Sequence, residues 1–252
     1  MQNQESVTGS STPALSVSIP AHNEARFIGR CIESIHMSAA QVGWKVGEHV
    51  EVLVALNRCT DATPSIAESL GARCVVEDSK CIAAVRNAAV RAGQAAALVT
   101  IDADSWMTRH SIDAVMKHVH DARFVGGGAA LWPERWSTGI VCSGLSVLPY
   151  VAKHRVSCGM FWCLRETFEQ LSGFDEDLIT IEDLDFAIRM RALGLQRGQR
   201  YGTLWRGGII TSCRKFDMFG DWYLVRNRDL VHRLFTGKDR QAADHFYYDV
   251  KR

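Results

Sequence analysis

Leu15-Ser-Val-Ser-Ile-Pro-Ala-His-Asn-Glu24 is a short apolar run that stops on a polar loop, and its reading decides the fold. Leu15 to Ile19 reads as a strand, and the same form recurs at Val50 to Leu56, Arg73 to Val76 and Ala97 to Ile101. Helical patterns near Ala25 to Met37, Pro64 to Leu70 and Cys81 to Ala92 lie between them. Such alternation predicts βαβ units and a largely parallel sheet. Pro64 behind Thr63 suits a helix start, because proline lacks only a donor that would be unpaired there.

Beyond Ile101 the pattern changes. Shorter strands at Phe124 to Leu131, Met160 to Leu164 and Gln199 to Trp205 mix with helices near Thr138 to Lys153, Asp183 to Leu193 and Asp217 to Phe235. This α+β half is expected to add to the sheet. Gly126, Gly127 and Gly128 read as a loop of close backbone approach. No internal repeat, low-complexity tract or Pro/Gly-rich linker marks a boundary, so one α/β domain is the expectation.

Composition narrows the function classes. A chain of 252 residues, 47% of them hydrophobic, buries a full core. A net charge of +1 provides no general field for nucleic acid, so charge-based chemistry must be local. The eight cysteines form no Cys-x-x-Cys pair and no zinc-type spacing, and read as reduced cytosolic thiols, mostly core. Met1 to Ala14 is polar, lacks the order of a signal peptide and is expected to be disordered. No apolar run approaches the roughly eighteen residues of a membrane span. A soluble, cytoplasmic protein is expected, at most peripheral at the inner face of a membrane.

Open α/β sheets bind ligands at the carboxyl ends of their strands. Pro20-Ala-His-Asn-Glu24 follows the first strand, Asn57-Arg-Cys-Thr-Asp61 the second and Asp102-Ala-Asp104 the fourth. Two carboxylates one residue apart can hold a hard divalent cation, with water and phosphate oxygens completing its shell. They can equally make a turn and cap a helix beginning near Thr108. Glu182-Asp-Leu-Asp185 opens a helix. There Asp183 either closes a capping box with Thr180 or serves as a general base, and spacing leaves both readings open.

The motifs form an ordered set: Val17-Ser-Ile-Pro-Ala-His-Asn-Glu24, Asn57-Arg-Cys-Thr-Asp-Ala-Thr63, Arg86-Asn-Ala88, Ile101-Asp-Ala-Asp104, and Gly173-Phe-Asp-Glu-Asp177 followed by Ile181-Glu-Asp-Leu-Asp185. From Ser16 to Tyr201 the chain resembles the family-two glycosyltransferases, inverting enzymes of the GT-A fold. The resemblance implies a mostly parallel central sheet flanked by helices, with an α+β acceptor half. The chain is expected to divide into a tail (1–14), a nucleotide-binding half (15–105), an acceptor and catalytic half (106–213) and a C-terminal helical arm (214–252).

By that resemblance Pro20, Ala21, His22 and Glu24 line the nucleotide pocket, Asn57 faces the base and Arg86 lies beside the base or diphosphate. Asp104 would bind Mn²⁺ or Mg²⁺ directly, with Asp102 near the ribose or metal. Asp183 inherits the role of catalytic base with Glu182 in support, and Gly159 and Met160 lie beneath the donor sugar. Relatives often carry aspartate at position 57; an amide oxygen still accepts from the uracil imide, which favours a UDP-sugar donor. The acceptor is a hydroxyl of a glycan, a lipid-linked or a small molecule.

Other residues are read on their own chemistry. Trp132 and Trp136, around Pro133-Glu-Arg135, are expected in a loop where their rings stack on sugars, while Trp162 belongs to the core. Arg214 and Lys215 are expected either to reach the diphosphate from a C-terminal loop or to stand as solvated surface charge, and Tyr201 to Asp217 to form a mobile lid that keeps water out. Phe219, Trp222, Tyr223, Leu230 and Leu234 share a face of the expected last helix, which packs on the core, on a second copy in a homodimer or on a membrane. Two rival readings are a nucleotidyltransferase that makes an NDP-sugar and a non-catalytic nucleotide-sugar-binding partner subunit. The first lacks the usual Gly-rich basic loop after strand one, and the second sits poorly with two complete acidic motifs.

Overall fold

The computed structural model describes residues 12–234 apart from Ile179. The expected tail therefore lies outside the described residues, except for Thr12 to Ala14, where the Ala14 N–H already donates to the His49 carbonyl at 2.8 Å. The first half alternates as expected: β1 (Leu15–Ala21), α1 (Ile28–Ala40), β2 (Val50–Leu56), α2 (Thr63–Ser69), β3 (Arg73–Val76), α3 (Ile82–Ala92) and β4 (Ala97–Ile101). Then follow β5 (Ser105–Met107), α4 (Ser111–Val119), β6 (Phe124–Pro133), α5 (Thr138–Ala152), β7 (Met160–Leu164), α6 (Arg165–Gln170), α7 (Glu182–Gln196) and β8 (Arg200–Thr211).

These strands make one eight-stranded sheet in the order β3-β2-β1-β4-β7-β6-β8-β5. β1 pairs in parallel with β2 and β4, β2 with β3, and β6 with β8. β7 is antiparallel to β4 and β6, and β5 to β8. β1, β2 and β4 are buried on both faces, as βαβ crossovers require, while β3 is a partly exposed edge. Strand alternation sends Leu15, Val17 and Ile19 into one core with α1 and α4, and Leu98, Phe161 and Cys163 into the opposite one with α6 and α7. Trp162 is fully buried, as expected, and its Nε1 donates to the Gly128 carbonyl at 3.0 Å.

Several expectations fail. Gly126 to Gly128 are not a loop but the middle of β6, paired to β7 and β8. Close approach is nonetheless why they are glycines: a Cβ on Gly127 would run into the Gly202 carbonyl. Trp132 belongs to β6 rather than to a loop, and residues 201–211 of the expected lid are strand β8. The last helix is three pieces, α8 (Arg214–Phe219), α9 (Tyr223–Arg226) and α10 (Arg228–Leu234). Gly220, at φ 89°, turns the chain after α8. Residues 235–252 of the arm lie outside the described residues. Of the eight cysteines only Cys31, Cys163 and Cys213 are buried; the other five are half-buried.

Candidate active site

Strand order reverses between β1 and β4, and a crevice opens there at the carboxyl ends of the strands. Pro20 and Ala21 end β1, buried opposite Ala55 and Leu56. The loops after β1 and β2 interlock: the Asn23 side chain accepts the Thr60 N–H at 2.8 Å, with Asn23 and Arg58 both left-handed (φ 53° and 49°). Burial alone would raise the Asp61 carboxyl, but hydrogen bonds from Thr63 and Ala25 hold it below its ordinary range. His22 Nδ1 sits 2.5 Å from the Asn57 carbonyl, a wall position rather than a ligand's. Asn57 spends both amide hydrogens on the carbonyls of Glu77 (2.6 Å) and Ser79 (2.8 Å). Its Oδ1 accepts from Arg58 at 3.2 Å.

Arg86 joins the two acidic motifs. Its Nη1 lies 2.7 Å from Asp102 Oδ1 and its Nε donates to Glu182 Oε1 at 3.3 Å. Burial would lower the Arg86 pKa, but the charges of Asp102, Glu182 and Asp183 outweigh it and hold the guanidinium firmly protonated. Burial lifts the Glu182 carboxyl to about 7 against the pull of Arg86, with the Asp183 charge adding to the lift. Asp183 is raised by the same burial, again opposed by Arg86. Its Oδ1 accepts the Leu184 N–H at 2.7 Å.

The N-cap is not Thr180, as the capping-box alternative required. Ile181 occupies the N-cap in the left-handed region (φ 59°) with no side-chain cap, leaving Glu182, Asp183 and Asp185 in the first turn of α7. For a β-branched residue that conformation is strained, and it sits directly before the two candidate catalytic acids. Asn87 secures the turn ahead of it by donating to the Phe174 carbonyl (2.9 Å) and accepting the Phe174 N–H (2.9 Å).

Arg214 joins a second pair of motifs. Its Nε is 2.9 Å from Asp104 Oδ2 and its Nη1 donates to Glu24 Oε2 at 2.7 Å. Ser212 Oγ donates to the same Asp104 oxygen at 3.0 Å. The antiparallel register of β5 with β8 brings this about, because Ser105 opposite Thr211 sets Ser212 and Arg214 beside Asp104. Asp102, Asp104, Ser212, Arg214, Lys215 and Phe216 line a cleft of about 270 Å³, with Thr211, Tyr223 and Leu224 closing it. Arg214 and Lys215 thus face the site as the sequence suggested, from α8 rather than from a loop.

Gly159 (φ 98°) and Met160 begin β7, whose pairing with β4 puts Met160 opposite Ile101, one residue from Asp102. Cys158 and Tyr201 lie close enough to Asp183 for its charge to add to the rise that burial gives both. Trp132 and Trp136, 40% and 64% exposed, stand with ring centroids 6.3 Å apart, open to a ligand. Sequence reading missed Ser212, Phe216, Tyr223 and Leu224; nothing local marks them, since only the β5–β8 register and the turn at Gly220 bring them in.

Asp102 and Asp104 fit a hard divalent cation: both line the cleft, and two carboxylates plus substrate phosphates are an ordinary set for Mg²⁺. Among the described residues no group of three or more His, Cys, Asp or Glu side chains is placed to hold a metal ion. The remaining positions would therefore fall to water and phosphate oxygens.

Residues 16–136 match the model of "Glycosyl transferase family 2". A curated relative, EpsH of Bacillus subtilis (strain 168), a candidate glycosyltransferase by name, is 23% identical over 115 residues, 44% of this chain but only 31% of that protein. A Pyrobaculum calidifontis mannosyltransferase solved with GDP-Man and Mn²⁺ superposes with a TM-score of 0.58 at 19% identity, covering 81% of this chain and 57% of that one. TarS 1–349 of S. aureus with UDP-GlcNAc gives 0.60 at 15% identity, over 93% of this chain and 70% of that one. Glucosyl-3-phosphoglycerate synthase of Mycobacterium tuberculosis with Mn²⁺ and UDP gives 0.57 at 17% identity, over 89% and 80%. The chain spans less than two thirds of both EpsH and the mannosyltransferase. Residues 16–136 are thus similar to glycosyl transferase family 2, and the chain has the GT-A fold.

Proposed function

We propose that the chain transfers a sugar from a nucleotide-diphosphate donor to an acceptor hydroxyl, with inversion at the anomeric carbon. The observation that carries the reading is Arg86, whose one guanidinium touches both Asp102, at the strand end facing the cleft, and Glu182, at the start of α7. A leaving-group corner and a basic carboxylate are thereby held within one side chain's reach. Asp183 takes the acceptor's proton as its oxygen bonds to the anomeric carbon and the bond to the diphosphate oxygen breaks. Burial raises the Asp183 pKa towards the range where a carboxylate is a useful base. Arg214 and Arg86 offer fixed positive charge to the departing diphosphate. Mn²⁺ or Mg²⁺, when held by Asp104 and Asp102, would neutralise further phosphate charge.

UDP is the favoured carrier. With both hydrogens of Asn57 committed to the loop, a base would meet its oxygen, in exchange for the Arg58 guanidinium that the oxygen now accepts from, and an acceptor matches the uracil imide. Structural neighbours solved with UDP, UDP-GlcNAc or GDP-Man support a nucleotide-sugar donor. Trp132 and Trp136 offer the acceptor sugar an aromatic wall. Phe216, Tyr223 and Leu224 shield the cleft from water, the task first assigned to residues 201–217.

The decisive experiment is Asp183→Asn with a donor that turns over. Asparagine keeps the size and cannot take a proton at neutral pH, so transfer should fall at least about a thousandfold while donor binding stays within about twofold. A folded variant retaining near wild-type turnover, or a product with retained anomeric configuration, would refute the proposal.

A further inference from the structure

α5 runs from Thr138 to Ala152 without one charged side chain. Its inner side is held: Ile140 is buried and Ser143 Oγ donates to the Asp221 carbonyl at 2.7 Å. Val141, Gly144, Leu145, Leu148, Pro149 and Ala152 are exposed and recur at helical spacing on one face. Val141 is 42%, Leu145 58% and Leu148 54% exposed. Beyond Thr138 the exposed side chains of this face are apolar, which reverses the usual surface helix that turns charged residues to water.

The two ends of the helix differ in chemistry. At the N-terminal end stand Trp136 and Trp222, 64% and 41% exposed, the latter beside Gly139. At the other end lie Lys153 and Arg155, with Arg191 of α7 near enough that its charge and that of Lys153 add to burial in lowering the His154 pKa. Lys153, Arg155 and Arg191 make no ion pair among the described residues.

We propose that this face of α5 rests on an anionic phospholipid surface, leucines in the acyl boundary, Trp222 at headgroup level and the three cations on lipid phosphates. A helix of 15 residues is about 22 Å long, short of the roughly 30 Å hydrocarbon layer, so it lies along the surface. A second copy of the chain fits less well. It would cover the leucines, but Asp217 and Asp221, the acids beside the far end of α5, are already paired with Arg135 and are not available to the cations. Anionic headgroups satisfy both halves of the patch.

The full chain is sedimented with phosphatidylcholine vesicles, with and without phosphatidylglycerol at roughly a third of the lipid. The protein should pellet with the anionic vesicles and be released by raised salt. The double variant Leu145→Glu, Leu148→Glu should lose at least about tenfold in partitioning with an unchanged Tm, since both side chains already face water. Lys153→Glu with Arg155→Glu should weaken binding to the anionic vesicles alone. Val76→Glu, at an exposed site on the far edge strand, should bind like the wild type. No pelleting at low salt overturns the proposal, as does undiminished pelleting of the leucine double variant. So does a dimer in light scattering that Leu145→Glu dissolves while vesicles bind nothing.

Discussion

Glu182 shows how much a single carboxyl can depend on its neighbours. Its motif is legible in the sequence, but its acidity is set by burial and by an arginine ninety-six positions earlier in the chain. Because its pKa is raised from 4.5 to about 7, the folded state favours the protonated form. The resulting stabilisation is fully present below pH 4.5 and lost as pH rises through 7. Glu182→Gln should flatten that part of the stability profile, being nearly isosteric and still able to accept from Arg86. Urea titrations at several pH values between 4.5 and 8 test this; parallel profiles for the two proteins would count against it. Asn57 teaches the same lesson in reverse. The family resemblance makes it base-facing, and only the folded loop after β3, which takes both of its hydrogens, says that the oxygen is the atom that could meet a base.

At the level of elements, β6 is where the fold is least forgiving. Its three glycines let β7, β8 and the Trp162 ring approach a backbone that no side chain could share. A methyl group at Gly127 meets the Gly202 backbone, which cannot turn aside as a side chain could. Gly127→Ala should therefore cost about 1–3 kcal/mol or more. Gly144→Ala is the contrasting case: its Cβ would meet nothing within 4 Å, and it lies inside α5. That change should stabilise by about 0.5–1 kcal/mol through helix propensity. Shifts of opposite sign in the urea midpoint bear this out; a neutral Gly127→Ala would mean that β6 and β8 pack more loosely than their register implies.

For the whole molecule, the cleft is a meeting of distant segments: Glu24 after β1, Asp104 after β4 and Arg214 at the start of α8. A ligand bridging them stabilises only the folded chain, so UDP with Mn²⁺ should raise Tm, by about 2.7 kcal/mol of linkage at a hundredfold excess over Kd. Asp104→Ala should remove the manganese-dependent part of that shift and leave the unliganded fold within about 1 kcal/mol. An identical manganese-dependent shift in the variant would take the metal away from Asp104. Arg214 then loses one of its two carboxylate partners, and its remaining pairing with Glu24 is what should keep α8 in place.

Much of this protein is determined by local pattern. Apolar runs of strand length ending in polar loops, alternating with helical stretches, fix the parallel half and place three loops at one edge of the sheet, because those signals act within a few residues. The acidic pairs Asp102-x-Asp104 and Glu182-Asp183 are likewise visible in the chain. What tertiary structure alone decided is non-local: the β6–β8 pairing that turned an expected lid into a strand, and the turn at Gly220 that broke the last helix. Partnerships across the fold, Arg86 with Glu182 and Arg214 with Asp104, were settled there too. Strand pairing and ion pairs between distant residues depend on register and on which faces must be buried together, and no local spacing encodes that choice.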